Sequence, residues 1–266
     1  MPRTKTGTFW QRDGRRDGPG VVLIHGLGLN LHLWAQMRRA LDDRYDVISY
    51  DLFGHGQSAP APARPSLAVF SDQLAGLLDE FAMARAAIIG FSLGGMITRR
   101  FAQDYPDRAS ALVILNSAHR RSDAAQRAIE ARVDQARRDG PAATVEAALE
   151  RWFTDRFRAG NPAMMAQVRN WILANDPEIY PQNYEVLAKG VAEITEPGRS
   201  LDHPALVMTA QEDWGNSPEM TRAIAAAMPR AKALILPQLR HMALAEDPEA
   251  VNAPVRQFLD EQLVSG

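Results

Sequence analysis

Six short apolar runs recur along the chain, at residues 21–24, 47–50, 86–89, 111–115, 205–209 and 233–236. Each is continuous, of strand length and built mainly from Val, Ile, Leu and Ala. Continuous rather than alternating apolarity is the pattern of strands covered on both faces. Between most of these runs the period becomes helical. Over residues 67–81, Leu67, Phe70, Leu74, Leu77, Leu78 and Phe81 fall on one stripe at spacings of three and four. Strands alternating with helices predict an α/β fold, a mostly parallel sheet with helices on both faces. Residues 8–11 predict the start of a leading antiparallel hairpin.

The alternation stops between about His119 and Pro197. Helical patterns alone fill this stretch, at 124–138, 142–157, 162–174 and 181–194. Gly140-Pro141, Gly160-Asn161-Pro162 and Asp176-Pro177 separate them. A helical block between two strand-type runs predicts an insertion over the sheet. The expected division is a core of residues 1–118 and 197–266 with a helical cap, or lid, at 119–196. The last helix is expected to begin near Pro248. Pro254 then falls inside it and removes a backbone donor, which predicts a kink or restart near Ala253.

The 266 residues are 46% hydrophobic and 23% charged, enough for one sizeable core plus an insertion. Thirty Lys and Arg stand against 32 Asp and Glu, a formal net charge of −2. With no long basic run, no nucleic-acid partner is expected. No stretch reaches the roughly 18 unbroken apolar residues of a membrane span, so no membrane association is expected. The first ten residues lack the apolar core of a secretion signal. Cysteine is absent, which excludes disulfides, thiolate catalysis and cysteine-based metal sites. A cytoplasmic protein is the expectation that follows.

The strongest chemical signal is Gly90-Phe91-Ser92-Leu93-Gly94, directly after one apolar run and directly before a helical stretch. A nucleophilic serine needs that strand–turn–helix context. The sharp turn exposes its hydroxyl, and the flanking glycines leave room for neighbouring backbone. The helix that follows points its N-terminal dipole at developing negative charge. A second signal, His25-Gly26-Leu27-Gly28, follows the first run. Its glycines allow the loop to bend toward the turn, where the amides of Leu27 and Leu93 would form an oxyanion hole. His25 itself is expected to order that loop by hydrogen bonding. Asp213 and His241 follow the last two runs. The order Ser92, Asp213, His241 supplies nucleophile, orienting acid and base, each just past the carboxyl end of a strand. Glu212 is the weaker competitor for the acid, and Asn116 is excluded because an amide cannot stabilise imidazolium as a carboxylate does. No His, Asp or Glu group has metal-ligand spacing, and no cofactor is implied.

At these residues the chain resembles the α/β-hydrolase fold family, over almost its whole length. The resemblance implies an eight-stranded, mainly parallel sheet, a Ser–His–Asp triad and a helical cap after the sixth strand. Within the family, Arg151-Trp152-Phe153-Thr154, the stretch from Asn175 to Tyr180, and Arg240-His241 resemble 3-oxoadipate enol-lactonases and their esterase relatives. The chain departs from those lactonases in its His25-Gly26-Leu27-Gly28 loop, which leaves lactone and acyclic ester both open. Ser92 disfavours the dehalogenases and epoxide hydrolases of the family, which need a carboxylate there. The implied activity is hydrolysis of a small carboxylic ester or lactone. A C–C (meta-cleavage product) hydrolase, or a small-molecule receptor with little turnover, is the alternative, and perhydrolysis a conceivable side reaction. Trp152, Trp171, Tyr180 and Met242 are expected to line the substrate pocket, with Phe153, Met164 and Met165 as further candidates. Arg120 or Arg121 would pair with a substrate carboxylate if the substrate is an acid.

Overall fold

A computed structural model describes residues 2–195 and 201–264. Its strands are β1 Trp10–Gly14, β2 Gly20–Ile24, β3 Asp46–Tyr50, β4 Ala86–Phe91, β5 Ala109–Leu115, β6 Ala205–Ala210 and β7 Ala231–Leu236. They form one sheet in the order β1-β3-β2-β4-β5-β6-β7. All neighbours pair in parallel except β1, which runs antiparallel to β3 with Trp10 opposite Tyr50. All six apolar runs lie within strands. Every residue of β3, β4 and β6 is buried, as continuous apolarity requires when helices cover both faces.

Two expectations about the sheet are corrected. The described residues carry seven strands, not eight, so the helical block follows the fifth strand rather than the sixth. The leading hairpin reduces to one bridge, Arg3 with Phe9. The turn beside it is closed by Thr4 N–H donating to Thr8 O and Gly7 N–H donating to Thr4 O, each at 3.0 Å. β1 then takes the edge position beside β3.

The helices of the core are α1 Ala35–Leu41, α2 Leu67–Glu80 and α3 Leu93–Asp104. Ser66 caps α2, its hydroxyl accepting from Val69 N–H. The insert contributes α4 Asp123–Asp139, α5 Ala142–Trp152, α6 Asp155–Gly160, α7 Pro162–Leu173, α8 Tyr180–Lys189 and α9 Val191–Thr195. The core ends with α10 Pro218–Ala226, α11 Ala243–Glu246 and α12 Pro248–Leu263. Two helices expected to be continuous are split. Phe153 is extended, at φ −124° and ψ 143°, and Thr154 caps a new helix, α6. Gly190 separates α8 from α9. The expected restart near Ala253 is absent, because α12 runs through Pro254 without a break. Its buried face of Val251, Val255, Phe258 and Leu259 holds the helix despite the lost donor. The boundary expected at residues 196–197 lies outside the described residues.

Candidate active site

The carboxyl ends of β2, β4, β6 and β7 open on one cavity of about 300 Å³, the place where parallel sheets collect their sites. Ser92 sits between β4 and α3 at φ +55° and ψ −112°, a left-handed conformation that is strained for a side-chain-bearing residue. The surrounding backbone holds it there. Ser92 N–H donates to Leu115 O at 2.8 Å, and Ser92 O accepts from Gly95 N–H at 3.0 Å and from the Ser117 hydroxyl at 3.1 Å. Side chains on the flanking glycines would not fit. A Cβ on Gly90 would collide with Gly94 O, and one on Gly94 would collide with Ile24 O.

The loop after β2 approaches this turn closely, since a Cβ on Gly26 would stand 3.2 Å from Ser92 Cβ. Leu27 borders the cavity. Leu93 opens α3, where a backbone N–H has no intrahelical acceptor. His25 is fully buried behind the loop. Its Nε2 accepts from Leu52 N–H at 3.0 Å, so Nδ1 carries the proton and donates to Gly26 O at 2.7 Å. Burial, followed by the neighbouring His55 ring, pushes the His25 imidazolium well below the ordinary histidine range.

His241 and Asp213 meet at 2.7 Å, Nδ1 to Oδ2, with both side chains buried. A carboxylate only accepts, so Nδ1–H donates and Nε2 is left as the acceptor. Asp213 is held at both oxygens. Oδ1 accepts from the N–H groups of Gly215 at 3.1 Å and Asn216 at 3.0 Å, and Oδ2 accepts from Asn116 Nδ2 at 3.0 Å. Asn116 also donates to the Thr209 hydroxyl, which in turn donates to Asn216 O at 2.9 Å. The competing Glu212 is partly exposed, and its carboxylate faces Arg240 Nε at 3.7 Å.

Sequence reasoning missed how the histidine loop is tied to the insert. Arg240 Nη1 reaches Glu150 O at 3.1 Å and Phe153 O at 2.9 Å. Met242 N–H donates to Trp152 O at 2.9 Å. Glu246 accepts from the N–H groups of Arg240 and Thr154. Trp214, exposed beside Asp213, stacks over the Arg240 guanidinium at 4.3 Å and borders the cavity.

A model of the alpha/beta hydrolase fold matches residues 19–248. The chain belongs to the α/β-hydrolase fold family. This hydrolase is 27% identical over 244 residues to an (E)-2-((N-methylformamido)methylene)succinate hydrolase of Acinetobacter baylyi, covering 92% of this chain and 91% of the relative. It is 28% identical over 200 residues to 3-oxoadipate enol-lactonase 2 of the same organism, covering 75% and 73%. The crystal structure of the enol-lactonase from Burkholderia xenovorans LB400 matches it with a TM-score of 0.88 at 29% identity, covering 95% of this chain and 96% of that one.

Of the residues expected on the pocket wall of this hydrolase, Trp152 and Tyr180 border the cavity. The Trp152 ring lies 5.8 Å from that of His241. Met242 and Trp171 are not on the wall. Met242 is fully buried behind the loop, anchored by its N–H to Trp152 O, and Trp171 packs partly buried against the core. Arg121 borders the cavity, whereas Arg120 does not. Two further arginines, Arg132 and Arg151, stand on the same wall.

Proposed function

We propose that this α/β hydrolase cleaves a small carboxylic ester or lactone through an acyl-enzyme, with Ser92 as nucleophile, His241 as base and Asp213 as orienting acid. The observation that carries this is the buried 2.7 Å contact between His241 and Asp213 on the same cavity as the strained Ser92 turn. His241 Nε2 takes the Ser92 proton while Ser92 Oγ attacks the acyl carbon. The N–H groups of Leu27 and Leu93 receive the oxyanion of the tetrahedral intermediate. The C–O bond then breaks, and the leaving alkoxide takes the proton back from His241. In a lactone the alcohol stays tethered to the acyl group. Water, deprotonated by His241, attacks the acyl-enzyme and releases the acid. Asp213 keeps the imidazole in the productive tautomer and stabilises its charged form. The helical insert acts in this reading as the cap that selects the substrate. The small cavity and the two enol-lactonases among the similar proteins favour esters and lactones of low mass.

Fluorophosphonate labelling combined with a panel of p-nitrophenyl esters and lactones tests the mechanism. The wild type is expected to label at Ser92 and turn over at least one class. Ser92→Ala should neither label nor retain activity, losing on the order of 10⁴–10⁶ in kcat. A labelled or substantially active Ser92→Ala protein would overturn it.

A further inference from the structure

Two insert helices turn one face each toward the cavity, and each face carries a guanidinium. On α4 the wall is Ala128, Ile129 and Arg132, and on α5 it is Ala148, Arg151 and Trp152. Spacings of one, three and four place each set on one side of its helix. Arg121, just before α4, brings a third guanidinium to the same wall. All three side chains are partly buried.

None of the three has a carboxylate within ion-pair distance among the described residues. Arg121 donates to the carbonyls of Ala188 at 3.2 Å and Leu187 at 3.1 Å, and Arg132 Nε donates to the Tyr184 hydroxyl at 3.1 Å. Elsewhere in the insert Arg137, Arg158 and Arg169 pair with Asp134, Asp155 and Glu146. Among the described residues the one carboxylate on the cavity wall is Asp213, which is engaged by His241. Burial lowers Arg121 to about 10, and the Arg132 charge adds to that effect. Arg151 is lowered by burial and then by Arg132, with Tyr184, Tyr180 and Glu150 opposing. Clustered, partly desolvated guanidiniums repel one another and are costly without an anion. A planar fork of donors facing a small cavity suits a carboxylate.

We propose that Arg121, Arg132 and Arg151 form an anion subsite, and that the natural substrate is an ester or lactone bearing a further carboxylate, which this subsite holds while the scissile carbonyl lies at Ser92. The substrate class rests on the acyl-transfer reading above. The subsite stands on its own.

Two measurements keep the two apart. Calorimetric titration of the wild type with glutarate should show binding that weakens as salt is raised. Its neutral counterpart glutaramide should bind about tenfold more weakly or worse. Arg132→Gln and Arg151→Gln should each weaken glutarate by about tenfold. In kinetics, the ratio of kcat/KM for monomethyl glutarate to that for methyl butyrate should exceed one. That ratio should fall about tenfold in both variants, mainly through KM for the anionic ester. Arg169→Gln, on an exposed ion pair of the same insert, should leave the ratio at its wild-type value. Glutaramide binding as well as glutarate, or a ratio unmoved by either variant, would overturn the subsite. Inorganic phosphate binding more tightly than glutarate would overturn the carboxylate assignment. If the wild type turns over neither ester yet binds glutarate selectively, the acyl-transfer reading fails and the subsite stands. Should the variants not fold, the wild-type comparison of glutarate with glutaramide decides.

Discussion

Asn116 Nδ2 stands 3.0 Å from Asp213 Oδ2, the same oxygen that faces His241 Nδ1 at 2.7 Å. The amide therefore fixes which lone pair of the carboxylate remains for the imidazole. Asn116 occupies φ +47°, which asparagine tolerates better than most residues. Asn116→Gly keeps that backbone and deletes the donor. It should lower kcat about tenfold to a hundredfold, the worth of one hydrogen bond to a charged group, with a smaller change in KM. Steady-state kinetics at several pH values decide the matter, and a wild-type kcat would remove Asn116 from any positioning role.

The acid itself is tested by neighbours in sequence. Asp213→Asn should cost roughly 10⁴ in kcat, because the amide favours the wrong imidazole tautomer. Glu212→Gln should change kcat by less than about threefold, since its partly exposed carboxylate faces Arg240 across a weak surface contact. Comparable losses in the two variants would show that the acid is misassigned.

What the sequence disclosed follows from where each signal lives. The strands were legible because burial on both faces writes continuous apolar runs, and the positions gathered on the cavity were legible because they follow those runs directly. β1 was harder to place. Its residues Trp10, Gln11, Arg12, Asp13 and Gly14 are mostly polar, as an edge strand allows, and no local pattern says which neighbour it joins. The break at Phe153 depends on contacts with Arg240 and Met242 nearly ninety residues away, which no window on the chain contains. The inward position of Arg132 and Arg151 is hidden in the sequence for a related reason. A charged residue at helical spacing looks like a solvated face until the inward side of the helix is known, and here Ile129 and Val133 show that Arg132 sits on that side.

His55 supplies a pH dependence that is separate from chemistry. Burial pushes its imidazolium down to about 4 from the ordinary 6.5. Between those values the unfolded chain binds a proton that the folded chain refuses. Stability is therefore full above about pH 6.5 and declines as pH falls toward 4, by on the order of 3 kcal/mol from this residue. Buried His25 shifts in the same direction. Urea midpoints measured from pH 7.5 to 4.5 should show the decline, and His55→Gln should show a shallower one. Parallel curves for the two proteins would assign the acid sensitivity to other groups.

Trp152 tests the division of labour between core and insert. It lies at the end of α5, partly buried, with its ring 5.8 Å from His241 and its carbonyl holding Met242 N–H. Trp152→Ala keeps the backbone carbonyl and removes a large apolar surface from the cavity wall. Contacts with remote parts of a substrate contribute to transition-state binding, so their loss should appear as substrate-dependent kcat/KM. Longer acyl groups should lose about tenfold or more, and acetate esters should change little, because they do not reach the wall. A fully buried aromatic would instead cost about 3–5 kcal/mol of stability on truncation. The partial exposure of Trp152 predicts a smaller fall in the thermal midpoint than that. Recording the midpoint and the chain-length profile on the same preparation separates the two contributions. An unchanged profile with a large drop in midpoint would make Trp152 a packing residue and move substrate selection elsewhere on the wall.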